Sequence, residues 1–255
     1  MTLAADAKSL MYEIYYKVER QHWWFRGRKE ILLSMISRYF PQFSNGKVLD
    51  IGASTGSYLE TFQKKGIEVE AHDASSQAVA YLKQISQDSN VFQKKFPEDY
   101  ETEPAAQYDV LLLLDVLEHI RDDRRALLTA LKLVKPGGMV VLTVPACKSL
   151  WGPYDVWNRH YRRYHLGEVQ ALVNKDIVDV RKLSYFSTLL FPLMFVTRSF
   201  ENFLHRLTGK MLSFYFLPGP MNEFLFSIFR LENRLLQKWN LPFGSSIVAI
   251  LEKKR

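Results

Sequence analysis

The stretch Val48-Leu49-Asp50-Ile51-Gly52-Ala53-Ser54-Thr55-Gly56 limits the fold more than any other part of the chain. A short apolar run meets a turn of small residues, and a helical pattern opens directly after it. Strand, small-residue turn and helix in that order begin a βαβ unit. Small residues let the backbone approach a ligand closely, and the first turn of a helix offers unpaired N–H groups. In an open parallel sheet such a turn lies at the carboxyl ends of the strands, where ligands bind.

The following residues keep the same alternation. Thr55 to Lys64 reads as helix, Ile67 to Ala71 as strand, and Ser75 to Ile85 as helix. Asn90 to Gln93 reads as a short strand. Asp109 to Leu114 is almost pure Leu and Val, as a central strand buried on both faces requires. Asp122 to Val134 is an amphipathic helix with an aspartate cap at its start. Lys135-Pro136-Gly137-Gly138 reads as a turn, and Met139 to Val144 as another strand. Strands alternating with helices predict a mostly parallel, seven-stranded Rossmann-like α/β sheet with helices on both faces. Ahead of it, Leu10, Met11, Ile14, Tyr15 and Val18 recur at helical spacing, as do Ile31, Leu32, Met35, Ile36 and Phe40. We therefore divide the chain into an N-terminal helical cap (1–45), a core (46–183), a helical hydrophobic insert (184–242) and a closing strand (243–255).

Asp73 ends the second strand, 23 residues after Asp50. A carboxylate there suits both hydroxyls of a ribose. The glycine pattern of pyrophosphate sites is incomplete, with Ser54 and Ser57 where later glycines would stand. The turn thus fits a nucleoside without phosphates better than a dinucleotide. Two plainer readings stay open: Asp50 braces the turn, and Asp73 caps the helix that starts near Ser75.

The ordered set Val-Leu-Asp-Ile-Gly-x-x-x-Gly, Asp73, Tyr108-Asp109-Val110, Leu114-Asp115-Val116-Leu117-Glu118-His119-Ile120, Lys135-Pro136-Gly137-Gly138 and Thr143-Val144-Pro145 resembles the class I S-adenosylmethionine-dependent methyltransferases. Trp23-Trp24-Phe25 and the Trp151 to Tyr164 segment resemble a bacterial small-molecule or lipid-type subgroup. The resemblance implies S-adenosylmethionine as cofactor. It implies a cofactor site built from Asp50, Gly52, Ala53, Ser54, Gly56, Asp73, Ala74, Phe96, Asp115 and Val116. The family usually has glycine where this chain has Ser54.

The carboxyl edge of the sheet holds two candidate bases, His119 and His160, for an acceptor that starts as a neutral hydroxyl or amine. Substrate contacts are expected from Trp24, Trp151, Tyr154, Arg162, Arg163 and Tyr164, since arginine forks bind anions and tyrosines stack. No metal is expected. The insert carries Phe186, Phe191, Phe195, Phe200, Phe203, Phe214, Phe216, Phe224, Phe226 and Phe229 beside Arg198, Arg206, Lys210 and Arg230. Such a segment suits a small helical subdomain, an apolar substrate, a peripheral membrane contact or a homodimer interface.

Composition narrows the partners. The net charge of +7 favours anionic ones, and the single cysteine, Cys147, forbids an internal disulfide. A cytoplasmic protein, peripheral to a membrane at most, is expected, because no secretory leader pattern opens the chain and the uncharged stretch Leu183–Thr197 is too short to span a bilayer. No RNA-binding module accompanies the core, so a nucleic-acid acceptor is set aside. The reading is therefore a methyltransferase acting on a small, apolar and partly anionic or lipid-like acceptor, as monomer or homodimer. The alternatives are a non-catalytic S-adenosylmethionine-binding protein and a nicotinamide-dependent oxidoreductase.

Overall fold

A computed structural model describes residues 2–41, 46–86, 90–209 and 217–255. The side chains of residues 2–11, Leu10 and Met11 among them, lie outside the described set, as do Lys210, Phe214 and Phe216. In chain order the strands are β1 (Lys47–Ile51), β2 (Glu68–Asp73), β3 (Val91–Gln93), β4 (Tyr108–Leu114), β5 (Val134–Pro145), β6 (Val178–Phe186) and β7 (Ser246–Lys253). The helices are α1 (Thr2–Gln21), α2 (Trp23–Tyr39), α3 (Ser57–Gln63), α4 (Ser76–Ser86), α5 (Asp123–Leu133), α6 (Pro153–Trp157), α7 (Leu166–Leu172), α8 (Phe191–Thr208) and α9 (Gly219–Lys238).

The seven strands form one sheet in the order β3-β2-β1-β4-β5-β7-β6. Only β7 runs against its neighbours. The expected mostly parallel α/β sheet is thus the fold of this chain. β1 pairs with β2 on one side and β4 on the other, so the chain reverses its direction of travel across the sheet at β1. A crevice opens at the carboxyl ends of strands at such a reversal.

Alternation along β4 feeds two cores. Val110 and Leu112 pack with α2, α3, α4 and α9 on one face. Leu111 and Leu113 pack with α5, α7 and Tyr164 on the other. Asp122 accepts the backbone N–H of Arg125, as its capping position predicts. The expected Lys135–Gly138 turn differs from what forms: these residues lie within β5 as an irregularity. Val134 pairs with Tyr108 and Met139 with Val110, so the intervening residues bulge out of register. Gly137 takes a positive φ of 79° there.

The insert is tied to both ends of the fold. Glu232 on α9 is fully buried and accepts the backbone N–H groups of Thr188 at 2.8 Å and Leu189 at 2.9 Å, and that of Ser187. The same helix seats Phe229 against Gly27 of α2. A Cβ at Gly27 would stand 2.2 Å from Phe229 Cδ1 and 2.7 Å from Phe229 Cβ. Gly27→Ala should therefore lower unfolding free energy by about 1–3 kcal/mol through overpacking, read as a lower urea midpoint.

Candidate active site

The β1–α3 turn is built for close approach. Gly52 and Gly56 have φ of 75° and 74°. A Cβ on Gly56 would strike Leu82 Cδ2 at 2.6 Å, so Gly56 is required as much for packing as for backbone freedom. Ser54 also sits in the left-handed region, at φ 51°. A Cβ in that conformation costs about 1–2 kcal/mol. Its backbone N–H donates to Asp73 Oδ2 at 3.0 Å, which offsets part of that strain. Asp73 Oδ1 accepts the N–H of Ser75 at 2.8 Å. Asp73 thus braces the turn and the start of α4 while lining the crevice.

A cavity of about 530 Å³ opens at the β1/β4 crevice. Asp50, Gly52, Ala53, Ser54, Asp73, Ala74, Phe96, Asp115, Val116 and His119 all line it, as sequence reasoning expected of a common site. Gly56 shapes the turn without lining the cavity. Burial pushes Asp50 up to about 8, and the nearby carboxylates of Glu19 and Asp73 add to this. Burial likewise raises Asp73, against the lowering effect of its two backbone donors.

Sequence reasoning missed one wall of the cavity. Glu19, Phe25, Arg28 and Lys29 enter it from α1 and α2, with Tyr58 from α3. Arg28 forms an ion pair with Asp115 at 2.9 Å and donates to Thr143 Oγ1 at 2.7 Å. Burial opposes its charge, but Asp115 and further anionic neighbours outweigh that and raise it. Asp115 itself has φ 58°, a strained conformation at the tip of β4. Helical periodicity assigns Arg28 to a helix but not to a partner 87 residues later in the chain.

The residues proposed from sequence to touch substrate are placed elsewhere, and the expectation for Arg162, Arg163 and Tyr164 is corrected. Arg163 is buried, and its guanidinium is held by Asp155 at 2.9 and 3.0 Å and by the Ala146 carbonyl at 3.0 Å. Arg162 pairs with Asp123 at 2.6 Å. Tyr164 is buried and donates to the same Asp123 carboxylate at 2.8 Å. Trp24, Trp151 and Tyr154 also stand outside the cavity lining. Arg28 lies over the Trp24 ring, the Trp151 carbonyl accepts from Asn202, and Arg198 lies over the Tyr154 ring. A run of exposed-looking arginines and tyrosines cannot reveal from sequence that carboxylates within the fold, Asp123 and Asp155, already hold them.

His160 stands behind His119, outside the lining, with ring centroids 4.6 Å apart. Although no metal was expected, the fold brings ligand-capable atoms of Glu118, His119 and His160 within 4.8 Å of one another. Such spacing is of the kind that a shared cation could bridge.

An open α/β sheet whose crevice gathers three aspartates at neighbouring strand tips defines a nucleoside-binding enzyme class. Residues 23–188 match the family model described as "Methyltransferase domain". The chain belongs to that family, as the sequence resemblance implied. It is 33% identical over 109 residues to a ubiquinone biosynthesis O-methyltransferase of Erwinia tasmaniensis, covering 40% of this chain and 45% of that protein. It is 26% identical over 183 residues to the Escherichia coli protein of the same name, covering 66% and 71%. The first of these matches thus spans less than half of the relative's length. Among solved structures, an S-adenosylmethionine-dependent methyltransferase from Archaeoglobus fulgidus aligns over 94% of this chain and 99% of its own, with TM-score 0.53 and 22% identity. A plantazolicin methyltransferase aligns over 95% and 90%, with TM-score 0.59 and 14% identity. These likenesses concern the fold.

Two outcomes follow from the geometry. Arg163→Ala leaves the buried Asp155 carboxylate without its main partner and should cost about 3–5 kcal/mol, visible as a lowered melting temperature. Asp50 has a folded-state pKa above its unfolded one. Its protonated form stabilises the fold at low pH, and that contribution is lost as pH rises through about 8. Urea titrations between pH 5 and 9 should show a steeper loss of stability with pH in the wild type than in Asp50→Asn.

Proposed function

We propose that this chain transfers a methyl group from S-adenosylmethionine to a small, hydrophobic, partly anionic acceptor. One observation carries the reading: the cavity joins the aspartates of three strand tips to an apolar slot in a single crevice. Asp73 at the tip of β2 suits the ribose hydroxyls. Phe96, Ala74 and Val116 give apolar surface for the adenine. Asp50, Gly52, Ala53 and Ser54 border the end suited to the methionine, and Asp115 stands beside it. Bound S-adenosylmethionine would supply an already activated methyl group on a sulfonium, so much of the protein's task is alignment.

The chain's own residues then supply two things. The wall formed by Phe25, Tyr58 and Ile120 offers the acceptor an apolar bed, with Lys29 as the neighbouring cation. His119 offers a base on the same wall. Burial, followed by the field of His160, lowers its pKa and favours the neutral imidazole a base must have. The relatives' name, ubiquinone biosynthesis O-methyltransferase, supports an oxygen acceptor on a hydrophobic molecule. Isothermal titration should give S-adenosylmethionine and S-adenosylhomocysteine binding, no NADH binding, and at least tenfold weaker cofactor binding in Asp73→Ala, a loss of about 1.4 kcal/mol. NADH binding in place of the other two would sink this reading in favour of an oxidoreductase.

A peripheral membrane contact through the insert belongs to the same proposal. No described helix is long and apolar enough to cross a membrane. α8 nevertheless buries none of its residues. Leu193, Val196, Phe200, Phe203 and Leu207 are 45%, 64%, 52%, 58% and 67% exposed along one stripe of it. Such a stripe with adjoining cations suits an anionic lipid surface. Co-flotation with vesicles containing phosphatidylglycerol, reduced in Phe200→Ser/Phe203→Ser, is the expected result. A protein that stays at the bottom of the gradient with every vesicle type removes the membrane contact and leaves the methyl-transfer reading untouched.

A further inference from the structure

Glu118, in the turn after β4, is fully buried, and neither of its carboxyl oxygens meets a hydrogen-bond partner. Buried polar groups are almost always partnered, so an orphaned carboxyl group calls for a counter-ion or a water. The two buried arginines of this region are engaged elsewhere: Arg28 by Asp115 at 2.9 Å and Arg163 by Asp155 at 2.9 Å. What Glu118 has beside it is a pair of imidazoles. Ligand-capable atoms of Glu118, His119 and His160 lie within 4.8 Å of one another, although the third comes from a segment 41 residues further along the chain. Two imidazoles on one ion, at metal–nitrogen distances of about 2.0–2.1 Å, have ring centres about 4.5–5 Å apart. The ring centres of His119 and His160 are 4.6 Å apart.

His160 is supported as a metal ligand is. Its Nδ1 faces Asp155 Oδ1 at 3.0 Å, which leaves Nε2 as the ring nitrogen on the side away from that carboxylate. Asp155 is fully buried and is itself fixed, by Arg163 Nε at 2.9 Å, Arg163 Nη2 at 3.0 Å and the Gly152 N–H at 2.9 Å. A carboxylate on the second nitrogen is the usual means of orienting a metal-bound imidazole. The two ligand-bearing segments are also joined through the backbone, where the Tyr161 N–H donates to the Glu118 carbonyl at 2.7 Å. Arg159, immediately before His160, has a φ of 57°. Strained backbone of this kind persists where the surroundings over-determine the aim of a functional side chain.

We propose that Glu118, His119 and His160 form a binding site for one divalent first-row transition-metal ion, with Asp155 and Arg163 as its outer support. Two imidazole nitrogens and one carboxylate oxygen suit zinc or a similar ion, whereas magnesium and calcium favour all-oxygen sites. Loading draws the three ligand atoms in to the about 3–3.5 Å separations of shared coordination. His119 lines the cavity, so the site adjoins the cavity wall. Three protein ligands leave at least one position for water or an acceptor oxygen. The site goes beyond the methyl-transfer reading and does not depend on it. A neutral imidazole has one lone pair, so an ion and an acceptor proton compete for that of His119. Proton acceptance by His119 accordingly belongs to the metal-free protein.

The test titrates chelator-stripped full-length protein with Zn2+ by calorimetry and with Co2+ by visible absorption, and needs no acceptor. The wild type should bind one equivalent of each, show the ligand-field bands of a nitrogen- and oxygen-coordinated Co2+, and melt at a higher temperature with Zn2+ present, since an ion that binds only the folded chain stabilises it. Zn2+ binding should be at least about tenfold weaker in Glu118→Gln and in His160→Gln, with the Co2+ bands lost, while circular dichroism reports a folded chain. If one variant fails to fold, the other decides alone. No binding by the wild type overturns the proposal. Binding of equal strength in the variants also overturns it, because the ion then sits on other histidines, such as His165 at the surface. Binding of Mg2+ in place of Zn2+ and Co2+ overturns the assigned class of ion. Calorimetry with S-adenosylhomocysteine on the same stripped samples keeps the two readings apart. Its failure to bind sinks the methyltransferase proposal, whereas normal binding without metal uptake sinks only the cation site.

Discussion

The buried ion pair between Arg28 and Asp115 joins the two halves of the site. Arg28 comes from the second helix and Asp115 from the tip of the fourth strand, and the two meet at 2.9 Å with Thr143 as a shared neighbour. Removing one partner of a buried pair leaves the other charge without compensation, at a cost of about 3–5 kcal/mol. The N-terminal helices are thereby part of the cavity wall rather than an appendage to it. The same pair holds Asp115 in a left-handed conformation that the free chain would avoid.

Around that clamp the site shows a division of labour. The sheet edge supplies aspartates whose positions are set by strand register, because Asp50 stands one residue before the end of β1 and Asp73 ends the neighbouring parallel β2. The helices α1 and α2 supply cations and rings whose positions depend on packing. Glu232 and Phe229 of α9 anchor the insert to the end of β6 and to α2, so the hydrophobic C-terminal part supports the α2 wall of the cavity. Within the insert α9 is packed into the core, whereas α8 leaves an apolar stripe on the surface.

The basic-aromatic segment after β5 illustrates how composition misleads. Three arginines and three tyrosines within a few residues look like an anion-binding surface. In the fold, two of those arginines are neutralised by Asp123 and Asp155. Their charge serves the rigidity of the loop. The cations that do border the cavity, Arg28, Lys29, Lys94 and Lys95, come from α2 and from the segment after β3.

The sequence by itself determined the parallel sheet, the glycine turn and the carboxylates at the strand tips. Those features follow from local pattern: period-two burial, positive-φ turns, and register that places a residue at a strand end. It also singled out Ser54 as a departure, which the left-handed φ explains. Only the tertiary structure decided which charges border the cavity. Pairs such as Arg28 with Asp115, Arg163 with Asp155 and His119 with His160 join residues from separate elements, and which partner a buried charge finds depends on how helices dock onto the sheet. Helix docking is fixed by shape, as where Gly27 admits Phe229, and shape complementarity leaves no periodic trace in a single chain.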